Sequence, residues 1–337
     1  MTSPALSFSP LPDMRTITLE EHFVSPGFLK GPGKEFTEQI RSRGATGAKL
    51  YQQLQNVGAE RVAEMDAAGI DVQVLSLNAP GLEQAPAPDQ IALAHETNDF
   101  VADAMRKYPT RLSAFAALPT AAPDKAAQEL DRRVTQDAFK GALINGHTSG
   151  HHLDDPCFTP IFECAAALNV PIYLHPTLPP KSVIDAYYAG FSPPVSAMLA
   201  TAAWGWHIET ATHLIRMVLG GVFDRYPALQ VIIGHLGEGI PFMLPRLERS
   251  LPQAVTGLKH PTGFYFRENV HYTFGGFNFP TTFQNLLQEV GAGRIMFSVD
   301  YPYGSMVEAK SFLATLNLIE ADLSAIAHRN AERLLGL

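Results

Sequence analysis

The chain has 337 residues, of which 46% are hydrophobic and 17% charged, and this much apolar material can bury a large core, which excludes a disordered or fibrous protein. The formal net charge is −8 and there is no basic run, so nucleic acid is not an expected partner. Because no stretch reaches the roughly 20 apolar residues that cross a bilayer, and the start lacks the blocks of a signal peptide, we expect a cytoplasmic protein without membrane contact, with residues 1–14 as a flexible tail.

Short apolar runs alternate with helical periodicity along the rest of the chain. The predicted strands cover residues 17–22, 72–77, 112–118, 141–145, 171–175, 231–235, 270–275 and 294–300. The predicted helices cover residues 59–68, 89–107, 125–136, 157–168, 207–225, 241–251, 281–290 and 323–335. This alternation predicts an α/β fold, a (β/α)₈ TIM barrel, as one catalytic domain over residues 15–337. The strands are apolar at successive positions, as parallel strands covered on both faces are.

Two connections are longer than a barrel needs, and they follow strands one and five. They are predicted to be loop insertions at the face where barrel enzymes place their chemistry. The second is rich in Pro, Tyr and Phe and contains Trp204 and Trp206. It is therefore predicted to form a lid or pocket wall, with a subunit contact as the alternative.

Polar side chains end several of the predicted strands. Strand one ends in Glu20, Glu21 and His22, strand five in His175, and strand eight in Asp300. The carboxyl ends of all strands meet at one mouth of a parallel barrel. Alternation places Glu20 and His22 on the same face and turns Glu21 away.

These strand ends bring imidazole nitrogens and carboxylate oxygens to one place. That mixture of ligands suits a borderline divalent cation such as zinc or manganese. Carboxylates buried together would also be costly without a compensating positive charge. The predicted ligands are Glu20, His22, His175 and Asp300.

The string GHLGEG places Glu238 three residues after His235. A carboxylate that orients an imidazole is the usual support of a histidine that transfers protons, so both are candidate catalytic residues, if a helix begins there. The alternative is a glycine-rich strand exit with a polar cap. His207 and His213, six residues apart, are interpreted as surface or packing residues.

Three further residues are predicted to bind substrate. Asn78 directly follows the strand predicted over residues 72–77, and Arg246 and Tyr303 follow closely on strand-end motifs. A guanidinium group in this position suits an anionic substrate.

The strings ITLEEHF, KGALINGHTSG, VPIYLHP, IIGHLGEGIPFMLPRLER and FSVDYPY, in this order, resemble the amidohydrolase-related metal-dependent decarboxylases, also called amidohydrolase 2 or ACMSD-like. Among them, the chain is most similar to γ-resorcylate (2,6-dihydroxybenzoate) and 5-carboxyvanillate decarboxylases. The resemblance implies one Zn²⁺ or Mn²⁺ ion on Glu20, His22, His175 and Asp300, with His235 and Glu238 in a second layer. It also implies a homodimer or homotetramer in which Arg246 comes from a neighbouring subunit and Tyr303 lies near the substrate carboxylate.

The activity that the resemblance implies is the non-oxidative decarboxylation of an ortho-hydroxylated aromatic acid, with Asp300 as the acid that protonates the ring. One alternative is a mononuclear metal hydrolase or hydratase acting on a lactone or keto acid, and another is a non-catalytic metal-binding barrel. Two-metal relatives bridge their ions with a carboxylated lysine at the end of strand four. Here that strand ends in Asn145, and Lys140 lies at its other end, so a second ion is not expected.

Overall fold

The computed structural model describes residues 14–337, which form a closed barrel of parallel strands. The strands are β1 (Ile17–Phe23), β2 (Val72–Leu77), β3 (Leu112–Ala114, continued by Ala116–Ala117), β4 (Ala142–Asn145), β5 (Ile172–His175), β6 (Val231–Ile233), β7 (Val270–Thr273) and β8 (Ile295–Met296). Each strand pairs in parallel with the next. A parallel bridge from Leu19 to Ser298 joins β1 to the segment after β8, which closes the barrel. The TIM-barrel prediction is confirmed.

The barrel is filled by one small apolar cluster and surrounded by a large one. The inner cluster contains Ile17, Leu19, Val72, Val74, Phe115, Leu143, Tyr173, Ile232 and Met296, with Ala331 and Leu335 packed below. Phe115 interrupts β3 between its two segments and is buried in this cluster. The outer cluster packs the opposite faces of the strands against the helices. Burial on both faces explains the continuous apolar runs of the sequence.

Helices alternate with the strands on the outside of the barrel. They are Ala59–Ala68, Ala87–Lys107, Pro123–Asp137, Pro156–Phe158, Thr159–Leu168, Gly205–Leu219, Val222–Arg225, His235–Gly237, Ile240–Ser250, Gln253–Thr256, Thr262–Glu268, Pro280–Val290, Ala292–Arg294, Met306–Thr315, Glu320–Ser324, Ala325–Arg329 and Asn330–Leu335. The helix predicted over residues 207–225 is interrupted at Gly221, whose φ of 69° is a left-handed conformation that glycine adopts without strain.

Both predicted insertions contain helices of their own. The insertion after β1 contains Pro26–Lys30, Lys34–Arg41 and Gly44–Gln55. The insertion after β5 contains Lys181–Val183, Ile184–Tyr188 and Pro193–Ala200, and it leads into the helix Gly205–Leu219. Both therefore lie at the carboxyl ends of the strands, beside the mouth of the barrel.

Most of the predicted tail, residues 1–13, lies outside the described residues. The structure describes only Met14 of that segment, and its side chain packs against the outer cluster. Within residues 14–337, no helix is both long and apolar enough to cross a membrane. The flexible tail, the domain limits and the cytoplasmic location stay predictions.

Candidate metal centre and active site

A β-bulge in β1 brings Glu20 into the mouth of the barrel. Leu19 pairs with Val74 and Glu21 with the next residue of β2, so Glu20 is the extra residue, with a φ of 67°. Leu19 faces the barrel interior, and strict alternation would turn Glu20 outward. The bulge resets the alternation. Glu20 and His22 therefore share one face of the strand, as predicted. Strict alternation from Leu19 would turn that face outward, and the bulge turns it inward.

Three of the four predicted ligands form a tight, buried group. Glu20, His22 and His175 each offer a ligand atom, and these atoms lie within 4.8 Å of one another. Glu20 Oε1 is 3.4 Å from His175 Nε2, and the His22 and His175 rings are 4.7 Å apart between centroids. The fourth predicted ligand, Asp300, borders this group, because its Oδ1 lies 3.1 Å from His22 Nε2.

The donor atoms of this group fit a divalent cation. Glu20 Oε1 is buried without a hydrogen-bond partner, while its other oxygen accepts hydrogen bonds from the hydroxyls of Tyr173 at 2.5 Å and Thr273 at 3.1 Å. Burial raises the pKa of Glu20 and lowers that of His175 well below its usual range. A neutral imidazole with a free lone pair thus faces a carboxylate oxygen with no donor, and a bound cation would satisfy both.

Asn145 orients the His175 ring through a hydrogen bond, and Glu83 in turn fixes the backbone of Asn145. His175 Nδ1 donates a hydrogen bond to Asn145 Oδ1 at 2.9 Å, which leaves Nε2 unprotonated and directed at Glu20. The backbone amide of Asn145 donates to Glu83 Oε1 at 2.8 Å. A partner that fixes the tautomer and orientation of a histidine is typical of metal ligands. β4 ends in Asn145 and not in a lysine, and Lys140, which precedes the strand, donates to the Gly336 carbonyl.

Glu21 points away from the mouth, as predicted, and fixes the backbone around Asp300. Its carboxylate accepts hydrogen bonds from the amides of Val299 at 3.0 Å and Tyr301 at 3.3 Å, the two neighbours of Asp300. Gln73 donates to the same carboxylate at 3.2 Å. Burial raises the pKa of Glu21 to about 8. One segment of β1 therefore supplies both the cation site and the support of Asp300.

His235 and Glu238 lie in contact, but at a short, distorted 3₁₀ turn (His235–Gly237) rather than in the first turn of an α-helix. Both residues, and Leu236 between them, have left-handed φ angles within a tight turn after β6, and the helix Ile240–Ser250 begins only after this turn. The turn still brings His235 Nδ1 within 2.7 Å of Glu238 Oε1. His235 Nε2 faces Glu20 Oε1 at 3.6 Å, so the pair borders the ligand group. The glycine-rich exit and the imidazole–carboxylate pair are both present.

His207, interpreted from the sequence as a surface or packing residue, packs against His235 and Phe277 and in addition contacts Glu238. His207 lies in the first turn of Gly205–Leu219, and its Nδ1 is 2.5 Å from Glu238 Oε2. His213, by contrast, is a buried packing residue whose Nε2 accepts a hydrogen bond from the Leu153 amide at 2.7 Å. The spacing of six residues could not reveal this difference, because the long insertion after β5 decides which turn of the helix reaches the mouth.

The charges of the His235–Glu238 pair are set by the carboxylates and imidazoles around it. Burial opposes the charged form of His235, but the carboxylates of Glu238 and Glu20 outweigh it and raise the pKa of His235 to about 10. Burial would raise the pKa of Glu238, but His235 and His207 outweigh it and lower this pKa. Glu238 is therefore an ionised acceptor between two imidazole donors.

The structure brings two of the three predicted substrate-binding residues together. The hydroxyl of Tyr303 donates to Asn78 Oδ1 at 2.8 Å, and its ring lies 5.9 Å from that of His22. Arg246 is exposed on the helix Ile240–Ser250, beside the exposed apolar residues Phe242 and Met243.

Four residues of the site share an unusual backbone conformation. Glu20, His235, Glu238 and Asp300 have φ angles of 67°, 50°, 57° and 63°. This left-handed region is uncommon for residues other than glycine, and it clusters at functional sites because the surrounding structure must enforce it. Short polar strand ends in the sequence indicate where these residues lie, but not this conformation.

Comparisons with known proteins identify the family to which the chain belongs. Residues 52–337 match the family model described as Amidohydrolase. The chain is 36% identical to the γ-resorcylate decarboxylase of Polaromonas sp. (strain JS666 / ATCC BAA-500), over 95% of this chain and 98% of the relative.

Two solved structures are also similar. The dihydroxybenzoic acid decarboxylase of Polaromonas sp. JS666, with bound manganese and the inhibitor 2-nitroresorcinol, superposes with a TM-score of 0.87 at 34% identity, covering 96% of this chain and 97% of the other. A 5-carboxyvanillate decarboxylase of Novosphingobium aromaticivorans DSM 12444 with bound manganese has a TM-score of 0.89 at 29% identity, covering 96% and 97%.

The protein therefore belongs to the amidohydrolase family. Within that family it groups with the metal-dependent decarboxylases of hydroxylated aromatic acids, so it is a carboxy-lyase, and the resemblance found in the sequence is confirmed.

Proposed function

We propose that the protein decarboxylates an ortho-hydroxylated aromatic acid, with 2,6-dihydroxybenzoate as the first substrate to test. The observation that carries this proposal is the contact of the Asp300 carboxylate with His22, at the edge of a buried group of cation ligands. A cation site can hold an anionic substrate in a fixed position, and an acid group beside it can protonate one carbon of that substrate. The similarity to γ-resorcylate decarboxylases supports this substrate class.

The residues that would hold the cation are Glu20, His22, His175 and Asp300. When bound there, a divalent ion would supply positive charge to the carboxylate and phenolate oxygens of the substrate and fix its ring. Manganese is the first ion to test, because two similar decarboxylases contain it. The missing bridging group at Asn145 supports a single ion.

Asp300 acts as the acid in this proposal. It transfers its proton to the ring carbon that bears the carboxylate, and the ring loses its aromaticity for the moment. The bond to the carboxylate then breaks, its electron pair restores the aromatic ring, and carbon dioxide leaves. Asp300 regains a proton from solvent, which reaches it because 19% of its side chain is exposed. No oxidant and no organic cofactor enter this balance.

The remaining site residues orient the substrate. His235, held by Glu238, faces the ligand group and donates a hydrogen bond to the phenolic oxygen. Asn78 and Tyr303, which hold each other, bind the other side of the acid.

We also propose that the protein is a homodimer or homotetramer in which Arg246 reaches the site of a neighbouring subunit. Support comes from exposed apolar side chains on the elements after β5 and β6, among them Phe191, Trp204 and Phe242. Apolar residues exposed in this number are typical of a subunit contact. Sedimentation measures the assembly. Arg246→Leu is expected to raise the KM of the acid, while Arg249→Leu on the same helix is the matched control.

The experiment for the function follows the ultraviolet spectrum of each acid with the manganese-loaded protein. The acids are 2,6-dihydroxybenzoate, salicylate and 5-carboxyvanillate, and released carbon dioxide is measured in parallel. We expect one of them to disappear with an equal amount of carbon dioxide. No release from any of these acids, together with uptake of oxygen-18 from water into a lactone or keto acid, would instead establish the hydrolase or hydratase.

A further inference from the structure

The carboxylate of Glu238 is shared between two imidazoles from different parts of the chain. Oε1 accepts a hydrogen bond from His235 Nδ1 at 2.7 Å, and Oε2 accepts one from His207 Nδ1 at 2.5 Å. His235 belongs to the turn after β6, whereas His207 belongs to the helix that follows the insertion after β5. The side chain of Glu238 has no exposed surface. Its two oxygens therefore depend on these two imidazoles.

The ring of His207 is itself held in place. Its Nε2 lies 3.0 Å from the Ala202 carbonyl and 3.3 Å from Trp206 Nε1. The ring makes T-shaped contacts with His235 and Phe277, with ring centroids 4.7 and 5.2 Å away. His207 is thus a fixed donor to the carboxylate rather than a mobile side chain.

We propose that His207 is a positioning residue for the reaction: it holds Glu238 so that Glu238 holds His235. The expected effect on turnover rests on the proposed function, whereas the expected effect on the position of His235 does not. With His207, each oxygen of Glu238 has one donor, and the carboxylate plane is fixed. Its Oε1 then keeps the proton of His235 on Nδ1 and aims Nε2 at the ligand group.

Removal of His207 would leave Glu238 Oε2 buried without a donor. A buried charged acceptor without a partner is strongly unfavourable, so the carboxylate would rotate or take up a proton. Either change weakens the hydrogen bond that orients His235. The insertion after β5 therefore contributes to catalysis through the helix that follows it, without its residue touching the substrate.

A second metal ion is the competing explanation of this cluster. His207, His235 and Glu238 also place their ligand atoms within 4.8 Å of one another. However, both Nδ1 atoms already point at the carboxylate at hydrogen-bond distance, so each carries a proton where an ion would need a lone pair. The number of ions per chain separates the two explanations.

The test compares His207→Asn, His207→Leu and the control Thr212→Ala in the manganese-loaded protein. The amide of asparagine places an N–H near the position of Nδ1, whereas leucine offers none. Thr212 lies on the same helix, is exposed, and its hydroxyl donates to the Ile208 carbonyl of its own helix. We expect His207→Leu to lower kcat roughly ten- to a hundredfold with little change in KM. His207→Asn should recover most of kcat, and Thr212→Ala should match the parent.

A second measurement reads the geometry without turnover. In zinc-loaded protein labelled with ¹⁵N-histidine, where no paramagnetic ion broadens the signal, the downfield Nδ1 proton of His235 is assigned by its loss in His235→Gln. His207→Leu should shift or broaden that signal, and manganese titration should give one ion per chain in every variant. Parent-like kcat with an unmoved His235 signal, or two ions per chain, would overturn the proposal. If the parent protein decarboxylates no acid, the proposed function fails and the NMR signal alone decides this inference.

Discussion

The hydrogen bond between Asn145 and His175 gives a direct test of the metal centre. Asn145→Leu keeps the size of the buried side chain but removes the acceptor that lies 2.9 Å from His175 Nδ1. Both side chains are buried, so water does not replace the lost acceptor. The Nδ1 proton is then unsatisfied, and the ring turns or exchanges its tautomer. Either response takes the Nε2 lone pair away from Glu20.

The expected size follows from this geometry. Loss of the partner that orients a metal-bound histidine costs 10- to 100-fold in metal affinity, or about 1.4 to 2.7 kcal/mol. We therefore expect manganese to bind Asn145→Leu about 10- to 100-fold more weakly than the parent. Isothermal titration of manganese into metal-free protein measures this affinity at constant pH.

The matched control is Asn330→Leu, which makes the same replacement at another buried asparagine. Asn330 donates to the carbonyls of Ala292 and Ile295 at 2.8 and 2.7 Å, at the start of β8 and away from the mouth. It should lower the free energy of unfolding but leave manganese affinity unchanged. Equal affinity in Asn145→Leu and the parent would refute the argument that His175 needs Asn145, and an equal loss in both variants would show a general effect of destabilisation.

Three further results are expected. Asp300→Asn should lower kcat at least about 100-fold, since an amide transfers no proton; parent-like kinetics in the metal-loaded variant would exclude Asp300 as the acid. Exhaustive chelation should abolish activity and manganese or zinc should restore it, so activity that survives in metal-free protein would contradict the cation site. Burial, with Arg294 and Arg333 nearby, lowers the pKa of His271 to about 3. As the pH drops through about 6.5, His271 takes up a proton in the unfolded chain but not in the folded protein. The free energy of unfolding therefore falls as the pH drops. Between pH 7 and 5 the free energy of unfolding by urea should fall about 2 kcal/mol less in His271→Gln than in the parent, and equal falls would argue against a neutral His271.

The strand pattern of the sequence was sufficient for the barrel and for the place of the site. Buried parallel strands leave continuous apolar runs, and their polar ends mark the mouth. Strand limits were less well defined at β8, which ends at Met296 although the apolar run continues to Val299. The reason is that residues 297–299 do not form a full ladder with β1. They make a single bridge, from Ser298 to Leu19, and the Val299 amide donates to the Glu21 side chain.

The parts that the sequence did not predict depend on contacts between distant segments. The bulge at Glu20 is a local irregularity. A prediction from alternation assumes a regular strand, so it cannot find a bulge. His207 lies 28 residues before His235 in the numbering, and only the packed insertion brings it to Glu238. Asn145 ended a predicted strand, but its role became visible only when His175 on the next strand proved to be its partner.

The position of Glu21 makes catalytic competence depend on the completion of folding. Its carboxylate ties the first strand to the amides on either side of Asp300, at the place where the two ends of the sheet meet. A barrel left open at that seam would release the acid group and spread the cation ligands apart in the same event. Partly folded chains are therefore expected to be inert toward the acid, rather than weakly active on it.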